Sequence, residues 1–139
     1  MKDISDLIGR ILISVIFFFE AYDTAVYKEI TVQMMTLYGL TWQQNLLYIG
    51  VITVLLLGAT LILLGYRAPL GATLLLCYLV PYTFIVHDFW NDPPHLLREQ
   101  SIHFMKNIGI IGALLLIFVN GSGKYSMRRL FATTHVRSL

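Results

Sequence analysis

Residues 55–72 read LLLGATLILLGYRAPLGA, two apolar runs joined by the short link GYRAP at 65–69. Gly65 suits the left-handed backbone that closes a helix, and Pro69 fits the first turn of the next one. So brief a link leaves two consecutive helices lying side by side in opposite directions. The apolar run reaches back to about Asn45 and onward to about His87. Each half is close to the ~20 residues that a helix needs to cross the hydrocarbon of a bilayer. The stretch is a transmembrane helical hairpin.

The rest of the chain fits the same solvent. Of its 139 residues, 57% are hydrophobic and 13% are charged, with a mean hydropathy of +0.70. Soluble domains carry about 25% charged residues, so this chain has too little polar surface to face water all round. Two further runs are long enough to span, at about 4–22 and 102–119. The expectation is an all-α integral membrane four-helix bundle, one domain over residues 1–139, with spans near 4–22, 45–64, 69–87 and 102–119. Helices are required because lipid offers no partner to an open strand edge. Arg10, Glu20 and the lack of an A-x-A exit argue that the first run stays as a span instead of being cleaved as a signal. A net charge of +2 with no basic stripe argues against nucleic acid. The lone Cys77 forms no internal disulfide and no CxxC pair.

The connections carry finer expectations. Thr41 and Gln44 have the spacing of a capping box for the second span. Val26, Ile30, Met34 and Leu37 follow helical spacing inside the long connection 23–44, which predicts a short interfacial helix covering the bundle mouth. Pro81 falls inside the third span, where it is expected to bend the helix as a packing feature. Lys2, Arg67, Lys124, Arg128, Arg129 and Arg137 fall on one side of a four-span chain, against Lys28 and Arg98 on the other. The positive-inside rule therefore puts both termini in the cytoplasm.

That topology gathers the polar ends of all four spans at the outer face. Residues 84–109, FIVHDFWNDPPHLLREQSIHFMKNIG, supply most of them. The candidates for a polar pocket are Glu20, His87, Trp90, His103, Lys106 and Asn107, with Asp23 and Asp88 nearby. His103, Lys106 and Asn107 are three and four residues apart and share a helix face, as do His87 and Trp90 if the third span runs on toward Pro93-Pro94. Lys106 lies roughly 6–8 Å below the start of its span, so Glu20 is its natural partner. Arg10 and Arg67 read as structural anchors near the cytoplasmic side, Arg10 either snorkelling or pairing with Asp6.

With these residues in view, the chain resembles the DoxX-like membrane protein family, most of all its short Bacteroidetes-type members. The resemblance rests on LIGRILISVIFFFEA (7–21), LLLGATLILLGYRAPLGA (55–72), FIVHDFW (84–90) and HFMKNIGIIGALLL (103–116), and it covers nearly the whole chain. Arg10, Arg67, His87, Trp90, Lys106 and Asn107 fit the family's recurrent polar pattern. Where many relatives have a Gly and a Lys after the Phe-rich part, this chain has FFFEAYDTAVYK, with Lys28 displaced along it. The resemblance implies a four-helix bundle of the bacterial inner membrane, often an accessory subunit of a redox system.

Several functions meet these constraints. A quinone could bind in the outer mouth, with His87 or His103 handling the proton, Lys106 or Asn107 donating to a carbonyl, and Trp90 or Tyr82 lining the ring. The same residues could instead form a closed polar plug. A non-catalytic subunit could stabilise a larger membrane protein complex or a homo-oligomer. Gly58, Gly71, Ala72, Gly109, Gly112 and Ala113 allow close helix contact, expected first inside the bundle and otherwise with such a partner. His87, His95 and His103 are ligand types for haem or metal, but His95 follows Pro93-Pro94 in an expected loop and no tight two-histidine helix motif is present, so no metal site and no covalent cofactor is expected. Transport is weaker still, since no repeated pair of broken helices is present.

Overall fold

Gly65 ends one helix and Arg67 opens the next, both with left-handed backbone at φ 65° and 51°, so the expected hairpin forms. The structure, a computed structural model, describes residues 2–126, and these are helical with no strand among them. In chain order the helices are α1 (Lys2–Val26), α2 (Lys28–Leu37), α3 (Gln44–Leu64), α4 (Ala68–Val86) and α5 (Pro94–Asn120), with a single 3-10 turn at Phe89–Asn91. Arg128, Arg129 and Arg137, used in the orientation argument, lie outside the described residues.

The four long helices pack as a ring in which α3 touches α1 and α4, and α5 touches α4 and α1. The α3–α4 seam is tight because its residues are small. A Cβ on Gly71 would stand 2.7 Å from the Gly58 carbonyl oxygen, and one on Gly58 would stand 2.6 Å from Leu75 Cγ. Gly109 and Gly112 behave differently: a Cβ on either meets nothing within 4 Å. Their expected use inside the bundle is therefore not observed among the described residues. The core runs between the helices through Phe17, Ala21, Leu55, Ala59, Ile62, Ala72, Leu75, Leu79 and Leu114.

Among the described residues, three helices are long and apolar enough to cross a bilayer: α3, α4 continued to Asn91, and α5. Only 6% of the apolar window of α5 is buried within the chain, so internal packing does not account for its composition. Lipid does. The 25-residue α1 has the length, but Asp6, Arg10 and Glu20 interrupt its apolar run. All three make inward contacts. Arg10 is 1% exposed; its Nε pairs with Asp6 Oδ2 at 3.1 Å, and its other nitrogens donate to the carbonyls of Ile62 (3.3 Å) and Tyr125. It is thus a buried clasp between α1, the last turn of α3 and the segment after α5, and does not snorkel. Ser14 adds a buried bond to the Ala59 carbonyl at 3.1 Å. Arg67 instead reaches over the Tyr66 ring, 5.9 Å from its centroid.

Other local expectations need correction. The residue preceding α3 is Gln43, with no side-chain cap. Gln44 turns backward to donate to Thr36 Oγ1 (2.7 Å) and the Leu40 carbonyl (3.0 Å), which ties the end of α2 to the start of α3. The last long helix begins at Pro94, well before Ile102, because Pro at the first helical position sacrifices a donor the helix leaves free anyway. His95 therefore lies on α5 and not in a loop. α4 runs through Pro81 and stops at Val86, so His87 and Trp90 do not share a helix face.

Candidate functional site

The inner face of α1 is set by Arg10, Ser14, Phe17 and Ala21, all buried. Glu20 sits beside that stripe, one turn above Phe17, and points across the ring of helices. Its partner is on α4: the Tyr78 hydroxyl donates to Glu20 Oε1 at 3.1 Å. Tyr82, one turn on, stacks against Tyr78 with ring centroids 5.4 Å apart. The end of α4 then delivers His87, whose ring meets Tyr82 edge-on at 5.5 Å. His103 on α5 lies nearly parallel to His87, at 5.3 Å and 12°.

These side chains line one cavity of about 270 Å³, together with Asp23, Asn107 and an apolar floor of Phe17, Leu79 and Ile110. Pockets for drug-sized molecules run to roughly 300–1,000 Å³, so this one is sized for a ring and not for a whole lipid. Its chemistry is mixed. Glu20 and Asp23 accept hydrogen bonds, Tyr78 and Tyr82 donate, and Asn107 does both. His87 Nδ1 lies 2.7 Å from Gln100 Oε1. With the amide oxygen toward the ring, Nδ1 carries the proton and Nε2 of the neutral imidazole is left as an acceptor.

Four of the expected pocket residues therefore converge: Glu20, His87, His103 and Asn107. Lys106 and Trp90 do not. The face that α5 turns to the cavity carries His103, Asn107 and Ile110, at spacings of four and three. Lys106 is rotated about 100° from Asn107 at 3.6 residues per turn. It is exposed and makes no ion pair with Glu20 among the described residues. Trp90, 53% exposed, joins an aromatic cluster with Phe89 and Phe104, at 5.2 and 5.7 Å. Tyr78 and Gln100 were not anticipated. The i, i+4 spacing of Tyr78 and Tyr82 in an otherwise aliphatic run is the signal that could have found the first. Among the described residues, no group of three His, Cys, Asp or Glu side chains is placed to hold a metal ion.

A second, larger hollow of about 700 Å³ adjoins the first. Ile30 and Met34 of α2 roof it, and Cys77, Pro81 and Ile85 of α4 form one wall. Glu20, Asp23, Tyr78 and Tyr82 border both hollows. The expected short helix in 23–44 is thus present as α2, and its Ile30–Met34 face lies over the groove. Tyr38, just past α2, donates to the Val86 carbonyl at 3.3 Å. Burial, and then the charges of Asp88 and Asp92, push its phenol up from the ordinary tyrosine range, which keeps the donor proton in place. Lys28 lies over the Tyr48 ring, 5.3 Å from its centroid.

The chain is 30% identical over 123 residues to the inner membrane protein YphA of Escherichia coli, covering 88% of this chain and 87% of that protein. It is 27% identical over 95 residues to a Surfeit locus protein 4 homolog of Schizosaccharomyces pombe, and 30% identical over 69 residues to the uncharacterized protein T02E1.7 of Caenorhabditis elegans. Those matches cover 64% and 48% of this chain, which spans only 29% and 24% of the two eukaryotic proteins. No solved structure matches. The sequence profile described as DoxX matches residues 5–88, a region that includes the Arg10 clasp, the α3–α4 hairpin, Glu20, Tyr78 and His87. With its long apolar helices, the chain is an integral membrane protein, and it belongs to the DoxX family.

Proposed function

We propose that this protein is an accessory subunit of a membrane redox system in the bacterial inner membrane, and that its polar cavity holds the head of a quinone. In this reading α1 is the fourth span, both termini face the cytoplasm, and the cavity opens at the outer face. The observation that carries it is the meeting of Glu20–Tyr78 and His87–His103 in one ring-sized cavity with an apolar floor. A quinone ring needs hydrogen bonds at two opposed oxygens, an apolar surface for its faces, and a base when the reduced form gives up its protons. Tyr82 and Asn107 are the donors here, and His87 Nε2 is the base, its ring oriented by Gln100. Glu20, held by Tyr78, is the acceptor for a hydroxyl of the reduced ring.

The electrons need a partner. The sequence has no CxxCH, no cysteine set for an iron–sulfur cluster and no nucleotide loop, so the quinone exchanges electrons with another subunit. A structural subunit with no redox chemistry of its own is the second reading. It is supported by a different observation, the open Gly109–Gly112 face of the sparsely buried α5, which is shaped for close contact with a foreign helix.

Gentle extraction followed by mass spectrometry of proteins and lipids separates the two. The redox reading expects quinone in the lipid extract of the wild-type protein and its loss from His87→Ala. Quinone-free protein that still brings down a larger membrane complex supports the structural subunit instead.

A further inference from the structure

The polar cavity is too small for a membrane quinone with its hydrocarbon tail, and the adjoining groove is of the opposite character. About 700 Å³ of space lies under α2 between Ile30 and Met34 above and Cys77, Pro81 and Ile85 beside it. Methionine side chains adapt to flexible hydrocarbon better than branched ones do, and Met34 and Met35 both border this space. The wall on the α4 side is open, since Cys77, Pro81 and Ile85 are exposed, so the groove communicates with the lipid. At its inner end stand Glu20, Asp23, Tyr78 and Tyr82, which are also the near wall of the polar cavity.

We infer that the two hollows are one site with two compartments: a quinone inserts sideways from the bilayer under α2, with its ring in the polar cavity and its tail in the groove. This rests on the quinone reading and adds to it the ligand class, a ring carrying a long hydrocarbon chain, and its route in. An annular phospholipid chain is the rival occupant. The shared lining favours the quinone, because Glu20, Asp23, Tyr78 and Tyr82 border both hollows and a single molecule reaching past them satisfies both the polar and the apolar walls. α2 forms the roof, tied at one end by Tyr38 to Val86 and at the other by Lys28 over Tyr48. With its roof held at both ends the groove keeps its shape, and a tail lies in it beneath α2.

The test compares tetramethylbenzoquinone with the same ring bearing a decyl chain in place of one methyl, using the full chain in nanodiscs. Wild-type protein binds the decyl compound at least ten-fold more tightly. Met34→Trp and Ile30→Trp, which fill the groove, abolish that preference and leave the affinity for the tail-less ring unchanged; because each compound partitions equally into nanodiscs carrying wild type or variant, the change in ratio between proteins reports the groove. A diazirine at the end of the decyl chain labels peptides from 24–38 or 77–86. If all three proteins bind the tail-less ring but the ratio is the same in wild type and Trp variants, the inference falls and the quinone reading survives. If neither quinone binds, while a decanol diazirine labels the groove, the head site and the two-compartment site fall together and the groove belongs to lipid chains.

Discussion

A buried guanidinium is costly unless its donors are used, and Arg10 uses them on three acceptors from three segments: Asp6, the Ile62 carbonyl and the Tyr125 carbonyl. Arg10→Ala leaves two carbonyls without their donor and takes the partner from the part-exposed Asp6, and polar groups left unpaired in this way cost about 1–3 kcal/mol. Arg10→Lys recovers little, because an ammonium cannot fork to acceptors on different sides as the planar guanidinium does. Unfolding measured in mild detergent is expected to show both variants well below wild type, with Lys closer to Ala than to Arg. Wild-type stability for Arg10→Lys would reduce the clasp to a simple charge. The four-residue spacing offered Asp6 as a partner for Arg10, with snorkelling as the other reading. It could not show the carbonyls of Ile62 and Tyr125, which reach Arg10 only through the fold.

At the scale of helices, the α3–α4 seam and the outer face of α5 look alike in sequence, each with glycines among large aliphatics, and they differ in the structure. Gly58 and Gly71 face backbone and Leu75 at distances no Cβ tolerates, whereas Gly109 and Gly112 face open space. Gly71→Leu forces the seam apart and is expected to cost at least the ~1–3 kcal/mol of an overpacked core. Gly109→Leu leaves the isolated chain's stability unchanged or slightly raised, since a helix gains about 1 kcal/mol by losing a glycine. Thermal unfolding of the two variants side by side checks this, and equal destabilisation would place Gly109 inside the bundle. Helix extent was less legible than helix position. Hydropathy finds the apolar middle of an element, so it missed the polar first two turns of α5 from Pro94 and the full length of α1. Helix phase was the other weak point. Lys106 and Asn107 are adjacent in sequence but about 100° apart around α5, and only Asn107 faces the cavity. Tyr78 went unnoticed because a tyrosine in an apolar run reads as core until Glu20 is seen across from it.

Over the whole molecule, the fold carries polar groups from α1, α4 and α5 to one end of the bundle and the Arg10 clasp to the other. Glu20, His87, His103 and Asn107 were legible as a set because charged and polar residues at the ends of long apolar runs stand out, and alternating spans return those ends to the same face. The groove beside them was not legible, since it depends on where α2 lies and not on what α2 contains. A ring-shaped quinone head is the proposed occupant of this polar end, and the decisive experiment is a binding titration of tetramethylbenzoquinone against three proteins in nanodiscs. Saturable binding is predicted for wild type and equally for Lys106→Ala, with a loss of at least ten-fold in His87→Ala. No saturable binding to wild type, or a loss in Lys106→Ala as large as that in His87→Ala, would contradict it.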